Sequence, residues 1–245
     1  MLMEQNQNKV DEAASQAVTD TKNQPRGGKR RREKSVVKEY ALIILYAVLI
    51  AFLLKTFIVR GFYIPSSSME DTLQINDRVF VNVAGGLFTE AERGDIVVFK
   101  DTQGWMPAVS NPNPVRSVLA FVGVMPESSS NYLVKRVIGV GGDHVVGTAD
   151  GRITVNGVEI DETYLKPGVS PTDIPFDVIV PQNSYFVMGD NRSNSADSRY
   201  HIPAGTEFIN DADVVGEVFV VAWPLSNFTF VNGADEVFAD VPASE

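Results

Sequence analysis

The chain has 245 residues, enough for one sizeable domain, or two small ones, with a proper core. It holds no cysteine and only two histidines, His144 and His201, which excludes disulfide staples, thiolate nucleophiles and Cys-based metal sites and leaves a multi-histidine metal centre hard to assemble. The net charge of −10 is uneven: residues 1–60 carry 11 Lys/Arg against 6 Asp/Glu and residues 61–245 carry 10 against 25, so the larger part repels phosphate and argues against nucleic acid as the main partner.

Residues 1–39 are polar and include the run Arg26-Gly27-Gly28-Lys29-Arg30-Arg31-Arg32, which reads as a disordered basic tail. Tyr40 to Leu54 is then free of charge, and Thr56 to Val59 extends the run past Lys55 to about 20 residues, enough for roughly 30 Å of hydrocarbon. Lys55 can snorkel at the end. A cleaved signal peptide would share the basic and apolar regions, but Lys55-Thr56-Phe57-Ile58-Val59-Arg60 offers no small-x-small cleavage site. The pattern therefore predicts an uncleaved transmembrane anchor over 40–59. The positive-inside rule leaves 1–39 in the cytoplasm and 61–245 on the outer face.

Beyond the anchor the pattern is β. Arg78 to Val83 alternates polar and apolar, Asp95 to Lys100 is a short buried run, and Tyr132 to Val140 is a third apolar segment. Arg152 to Ile160 reads as a hairpin turning at Asn156-Gly157 in a type I′ turn. Further strands are expected at Ser184 to Met188 and Val214 to Ala222. With no long helical period after residue 60, the expectation is a mainly β domain of sandwich or barrel type with short helical turns at most. Residues 103–130, rich in proline and serine, read as an irregular insertion.

Three consecutive serines, Ser66 to Ser68, follow Pro65, and a serine hydroxyl needs a base to become a nucleophile. His144 and His201 both sit in unremarkable turns, so a Ser-His-Asp triad is possible but unsupported. Only three lysines lie after residue 60. Lys100 ends a strand and Lys166 lies in a turn, whereas Lys135 shares a strand face with Leu133 and Val137. Burial there disfavours the ammonium; lowering its pKa from about 10.4 by about two raises the neutral fraction a hundredfold at a cost near 3 kcal/mol. The alternative is a lysine that snorkels to a surface carboxylate. Residues 188–199 pack Asp190, Arg192, Asp197 and Arg199 with Asn and Ser between them, a loop that bidentate Arg–carboxylate pairs can staple. A calcium loop is the competing reading, disfavoured by the two arginines and the missing closing glutamate.

Together these segments resemble bacterial type I signal peptidases, the membrane-bound Ser/Lys proteases of secretion. The anchor with Pro65-Ser66-Ser67-Ser68-Met69, then Arg93 to Phe99, then Lys135 to Gly139 with Gly141-Gly142-Asp143, then Gly189-Asp190-Asn191-Arg192 to Ser198-Arg199 follow the family's motifs in order, from about residue 40 to Pro224. The resemblance implies a signal-peptidase-type β-barrel or sandwich, with Ser68 as nucleophile and Lys135 as general base. It also implies that Ser66 and the Ser68 N–H form the oxyanion hole, that Ser195 orients Lys135, and that Asp190, Arg192, Asp197 and Arg199 hold the loop. Substrate would lie as an extended strand against Ile64, Pro65, Met69, Leu133 and Val134, with small pockets selecting Ala-x-Ala ends. By the same likeness no cofactor or metal is expected. The partners would be signal peptides and the lipid bilayer, the protein a monomer in the bacterial cytoplasmic membrane.

In this reading Pro65 restricts the turn, Ser66 and Ser68 project to one side, Ser67 points away, and Met69 and Leu73 pack the turn down. Two departures stand out: Glu70-Asp71 before Thr72-Leu73, where the family commonly has a proline, and Ser193, where it commonly has an Asp. A LexA-type self-cleaving repressor also pairs Ser with Lys, but this chain lacks a DNA-binding domain. The other alternative is a specialised or inactive assembly factor for a surface structure, against which the retained Ser66, Ser68, Lys135 and Ser195 argue.

Overall fold

The computed structural model describes residues 29–88, 90–107 and 131–244. Most of the insertion expected at 103–130 and most of the expected tail therefore lie outside the described residues. The first element, α1, runs Lys29–Phe57, so residues 29–39 are helical rather than disordered. Lys, Arg and Glu, which dominate 29–34, are good helix formers. Among the described residues no helix is long and apolar enough to cross a membrane. The contacts divide the chain into two units, with the second starting at Ala51.

The second unit is built on antiparallel strands. These are β1 (Val59–Tyr63), β2 (Arg78–Asn82), β3 (Ile96–Lys100), β4 (Tyr132–Gly139), β5 (His144–Gly147), β6 (Ile153–Val155) and β7 (Val158–Glu159). They continue with β8 (Phe176–Ile179), β9 (Ser184–Met188), β10 (Phe208–Asn210), β11 (Val214–Trp223) and β12 (Thr229–Phe230). Val59, expected inside the anchor, instead opens β1 and pairs with Asn82. Two short helices intervene, α2 (Val83–Phe88) and α3 (Ser198–His201).

The large sheet has the order β1-β2-β11-β3-β4-β9-β10, with β12 added to β11. The sheet is open, since no pairing among the described residues joins β1 to β10. The expected barrel is thus not closed; register shifts along β11 at Val214/Gly216, Val218/Val220 and Val221/Trp223 supply the bending that bulges impose. The small sheet has the order β7-β6-β5-β8. Its β6–β7 turn has Asn156 and Gly157 at φ 50° and 80°, the pair of positive values a type I′ turn requires.

The apolar run of β3 is explained by its two neighbours. Ile96 and Val98 pack in one core cluster with Phe62, Met69, Leu73 and Val81, while Val97 and Phe99 pack in another with Val137, Tyr185 and Val187. A strand buried on both faces cannot alternate with polar residues. β4 splits in the same way: Tyr132 and Val134 join the first cluster, Leu133 and Val137 the second.

Candidate active site

Pro65 leaves β1 into a turn that carries the three serines outward in different directions. Ser66 is exposed, Ser67 half-buried and Ser68 only 8% exposed. Met69 and Leu73, at 1% and 0% exposure, fix the turn to the core below it. The Leu73 N–H donates to the Met69 carbonyl at 2.7 Å, closing one helical turn. Ser67 is turned away and held from the loop after β9: the Asn194 side-chain amide donates to its hydroxyl at 2.7 Å and that of Asn191 to its carbonyl at 3.0 Å.

Lys135 sits on β4 opposite Val97 of β3 and is 2% exposed. Its Nζ donates to Ser68 Oγ at 2.7 Å and to the Val134 carbonyl at 3.0 Å. It does not snorkel to a surface carboxylate. Burial pushes the amine down to about 8, while the negative charges of Asp197 and Asp190 pull in the opposite direction. Ser66 Oγ lies 3.4 Å from Ser68 Oγ, and the Ser68 backbone N–H makes no hydrogen bond among the described residues.

The loop after β9 is stapled, but only partly within itself. Asp197 accepts from Arg199 Nε at 2.9 Å and from the Gly189 N–H at 3.0 Å, and caps α3. Arg199 also donates to the Arg192 carbonyl at 2.9 Å. Asp190 and Arg192 instead reach outward. Asp190 takes a bidentate pair from Arg136 of β4, at 2.9 and 2.7 Å, and Arg192 forks onto Glu162.

Ser195 does not bond Lys135 as expected: its hydroxyl is buried without a hydrogen-bond partner. It is nevertheless close to the Ser68 backbone. A Cβ on Gly189 would meet Ser195 Oγ at 2.3 Å and the Ser68 carbonyl at 2.4 Å, so a glycine is needed for the two segments to approach. The histidines take no part in these bonds. His144 pairs with Asp177 on the small sheet at 2.7 Å, and His201 stacks on Trp105.

A cavity of about 260 Å³ opens beside Ser68 and Lys135. Ile64, Pro65, Met69, Leu133 and Val134 line it, joined by Phe62, Tyr63 and Tyr132. Ser66 and Asn194 also line it, as do Met106 and Ala196, neither of which the sequence singles out. Sequence reasoning also missed Arg136, Glu162 and Asn191. Two adjacent basic residues in a buried strand were the available signal, since Lys135-Arg136 required a carboxylate partner for the arginine.

A hydroxyl bonded to a buried, easily neutralised amine, on an antiparallel β frame and beside a cleft, is an arrangement suited to acyl transfer. The family model described as signal peptidase, peptidase S26, matches residues 37–223. The chain is 36% identical to the probable signal peptidase I of Mycobacterium leprae, over 80% of each chain. It is 34% identical to the signal peptidase I of Mycobacterium tuberculosis, over 84% of this chain and 79% of that protein. To the signal peptidase I P of Bacillus subtilis subsp. natto it is 32% identical, over 80% of this chain and 95% of that one. The chain belongs to the peptidase S26 signal peptidase family.

Proposed function

We propose that this protein is a membrane-anchored serine endopeptidase that removes signal peptides from exported preproteins, with Ser68 as nucleophile and Lys135 as general base. The observation that carries the reading is the 2.7 Å bond between Ser68 Oγ and an amine that is 2% exposed. With its pKa near 8, roughly a tenth of the amine is neutral at pH 7. A peptide lying over the cavity excludes more water and raises that share.

The neutral amine takes the Ser68 proton as Oγ attacks the scissile carbonyl. The Ser68 N–H and the Ser66 hydroxyl donate to the oxyanion that forms. The ammonium then protonates the leaving amine, and water repeats the sequence on the acyl-enzyme with Lys135 again as base. Ser195, whose buried hydroxyl is unpartnered at rest, steadies Lys135 during this cycle, a role supported by that free hydroxyl. The substrate strand runs between the segment ending at Pro65 and the start of β4, and the small cavity favours the small residues of Ala-x-Ala ends.

Anchoring is supported by α1. Leu42, Ile43, Ile44, Leu45 and Tyr46 are consecutive, and each is more than half exposed. Successive helical residues point in different directions, so apolar surface is presented on every side, as in a membrane span. Leu53, Leu54 and Phe57 extend the apolar run in the sequence. By the positive-inside rule the basic N-terminal segment stays in the cytoplasm and the β unit acts on the outer face of the cytoplasmic membrane.

Detergent-solubilised protein incubated with an Ala-x-Ala preprotein tests the reading. Ser68→Ala and Lys135→Ala are each expected to lose turnover by roughly 10³-fold or more. Equal silence of wild type and both variants refutes the peptidase and favours a binding factor on the same scaffold.

A further inference from the structure

The connection leaving β3 is held in place more firmly than a loop stem requires. Both carboxylate oxygens of Asp101 accept backbone N–H groups, from Gly104 at 2.8 Å, Trp105 at 2.9 Å and Met106 at 2.8 Å. The Trp105 ring lies parallel to the His201 ring, with centroids 4.3 Å apart and 6° between planes, and edge-on to Phe99 at 5.7 Å. The indole N–H donates to the Thr206 carbonyl at 2.9 Å. Thr102 adds a bond to Asp213 at 2.6 Å. This bracing fastens the stem to the segment that directly follows α3, and so to the loop bearing Ser195 and Asp197.

What the bracing positions is Met106. Every other described residue lining the cavity belongs to the segment 62–69, to β4 or to the loop after β9. Met106 alone arrives from the β3 connection, and it is half-buried there. A flexible thioether side chain fills gaps but specifies poorly unless its backbone is fixed; here the backbone is fixed by Asp101 and by the neighbouring indole.

We propose that Met106 is a specificity-determining residue of the cleft, limiting the size of the substrate side chain that faces it, and that the Trp105–His201 stack is the positioning device that sets this limit. The inference rests on reading the cavity as the peptide site. His201 thereby acquires a role without proton transfer: its ring is a flat support, and its buried Nε2 carries no hydrogen bond.

Full-length protein in detergent is assayed on a parent Ala-x-Ala peptide and on peptides in which each residue from three before to two after the cleavage point is changed in turn to Leu. The readout is the Leu/Ala ratio of kcat/KM at each position, from which the amount of folded enzyme cancels. Met106→Ala is expected to raise that ratio roughly tenfold or more at a single position. Met106→Phe lowers it at the same position. Trp105→Ala shifts the same position as Met106→Ala, whereas Trp105→Phe, which keeps a ring over His201, retains the wild-type ratio. Ratios unchanged at every position in both Met106 variants, with the wild type cleaving the parent peptide, overturn the inference alone. A wild type that leaves the parent peptide intact overturns the peptidase reading as well.

Discussion

Around Ser68 and Lys135, the arginines 136, 192 and 199 have side chains that are 2% exposed or less, each paired with a carboxylate that is fully covered. On the small sheet, Arg152 is 56% exposed and pairs with Asp150 and Glu159, themselves 59% and 54% exposed. The residue types are the same and their consequences differ. Exposed pairs are screened by water and contribute about 0–1 kcal/mol. A buried pair is costly to assemble, yet losing one partner leaves a charge without solvent and costs about 3–5 kcal/mol. The buried set also has a second effect, since Asp190 and Asp197 act on the charge of Lys135. Ion pairs near Ser68 thus hold the backbone and act on the charge of Lys135 together, and those on the small sheet do not reach that amine.

The largest expected effect comes from removing a buried partner. Asp190→Asn strands Arg136 and is expected to lower the unfolding free energy by about 3–5 kcal/mol in urea titration. It also removes a charge that raises the Lys135 pKa, so the rise of kcat/KM with pH, expected near 8 in the wild type, should move to lower pH. A profile that stays put breaks the link between pairing and tuning.

A smaller effect sharpens the comparison from the side of the base. The folded-state pKa of Lys135, about 8, lies below the unfolded value of 10.5, so the unfolded chain keeps a proton that the folded one releases. Wild-type stability should climb between pH 8 and 10.5 and be lost as pH falls through 8. Lys135→Met is therefore expected to be more stable than wild type at pH 7, by about 3 kcal/mol. The advantage fades toward pH 10.5 in thermal melts. The smallest effect belongs to the small sheet: Arg152→Ala should change stability by no more than about 0.5 kcal/mol and leave cleavage unaltered.

Local pattern made much of this legible. Alternation placed β2, the buried runs placed β3, β4 and β9, and the Asn-Gly pair placed the β6–β7 turn. The face shared by Leu133, Lys135 and Val137 pointed to a dry amine, as the 2% exposure of Lys135 shows. Strands of three or four residues such as β5, β8 and β10 are too short to display a period, and β1 was hidden in the tail of the apolar run. The loop after β9 reads in the sequence as one that can staple itself, because Asp190, Arg192, Asp197 and Arg199 lie within it. Its pairing of Asp190 with Arg136, across 54 residues, and of Arg192 with Glu162, across 30, depends on strand order, which no local window contains. Met106 was invisible for the same reason: only its bracing onto the segment after α3 brings it to the cavity.

Strand order also governs when the molecule can become whole. In the large sheet β11 lies between β2 and β3, yet it leaves the ribosome only after β4 to β10 have been made. Until it slots in, the β1–β2 ribbon bearing the Ser68 turn and the β3–β4 ribbon bearing Lys135 share no ladder of backbone bonds. Competence to cut is thereby withheld until β11 has been made, and a nascent chain that stops short of it cannot act as a protease.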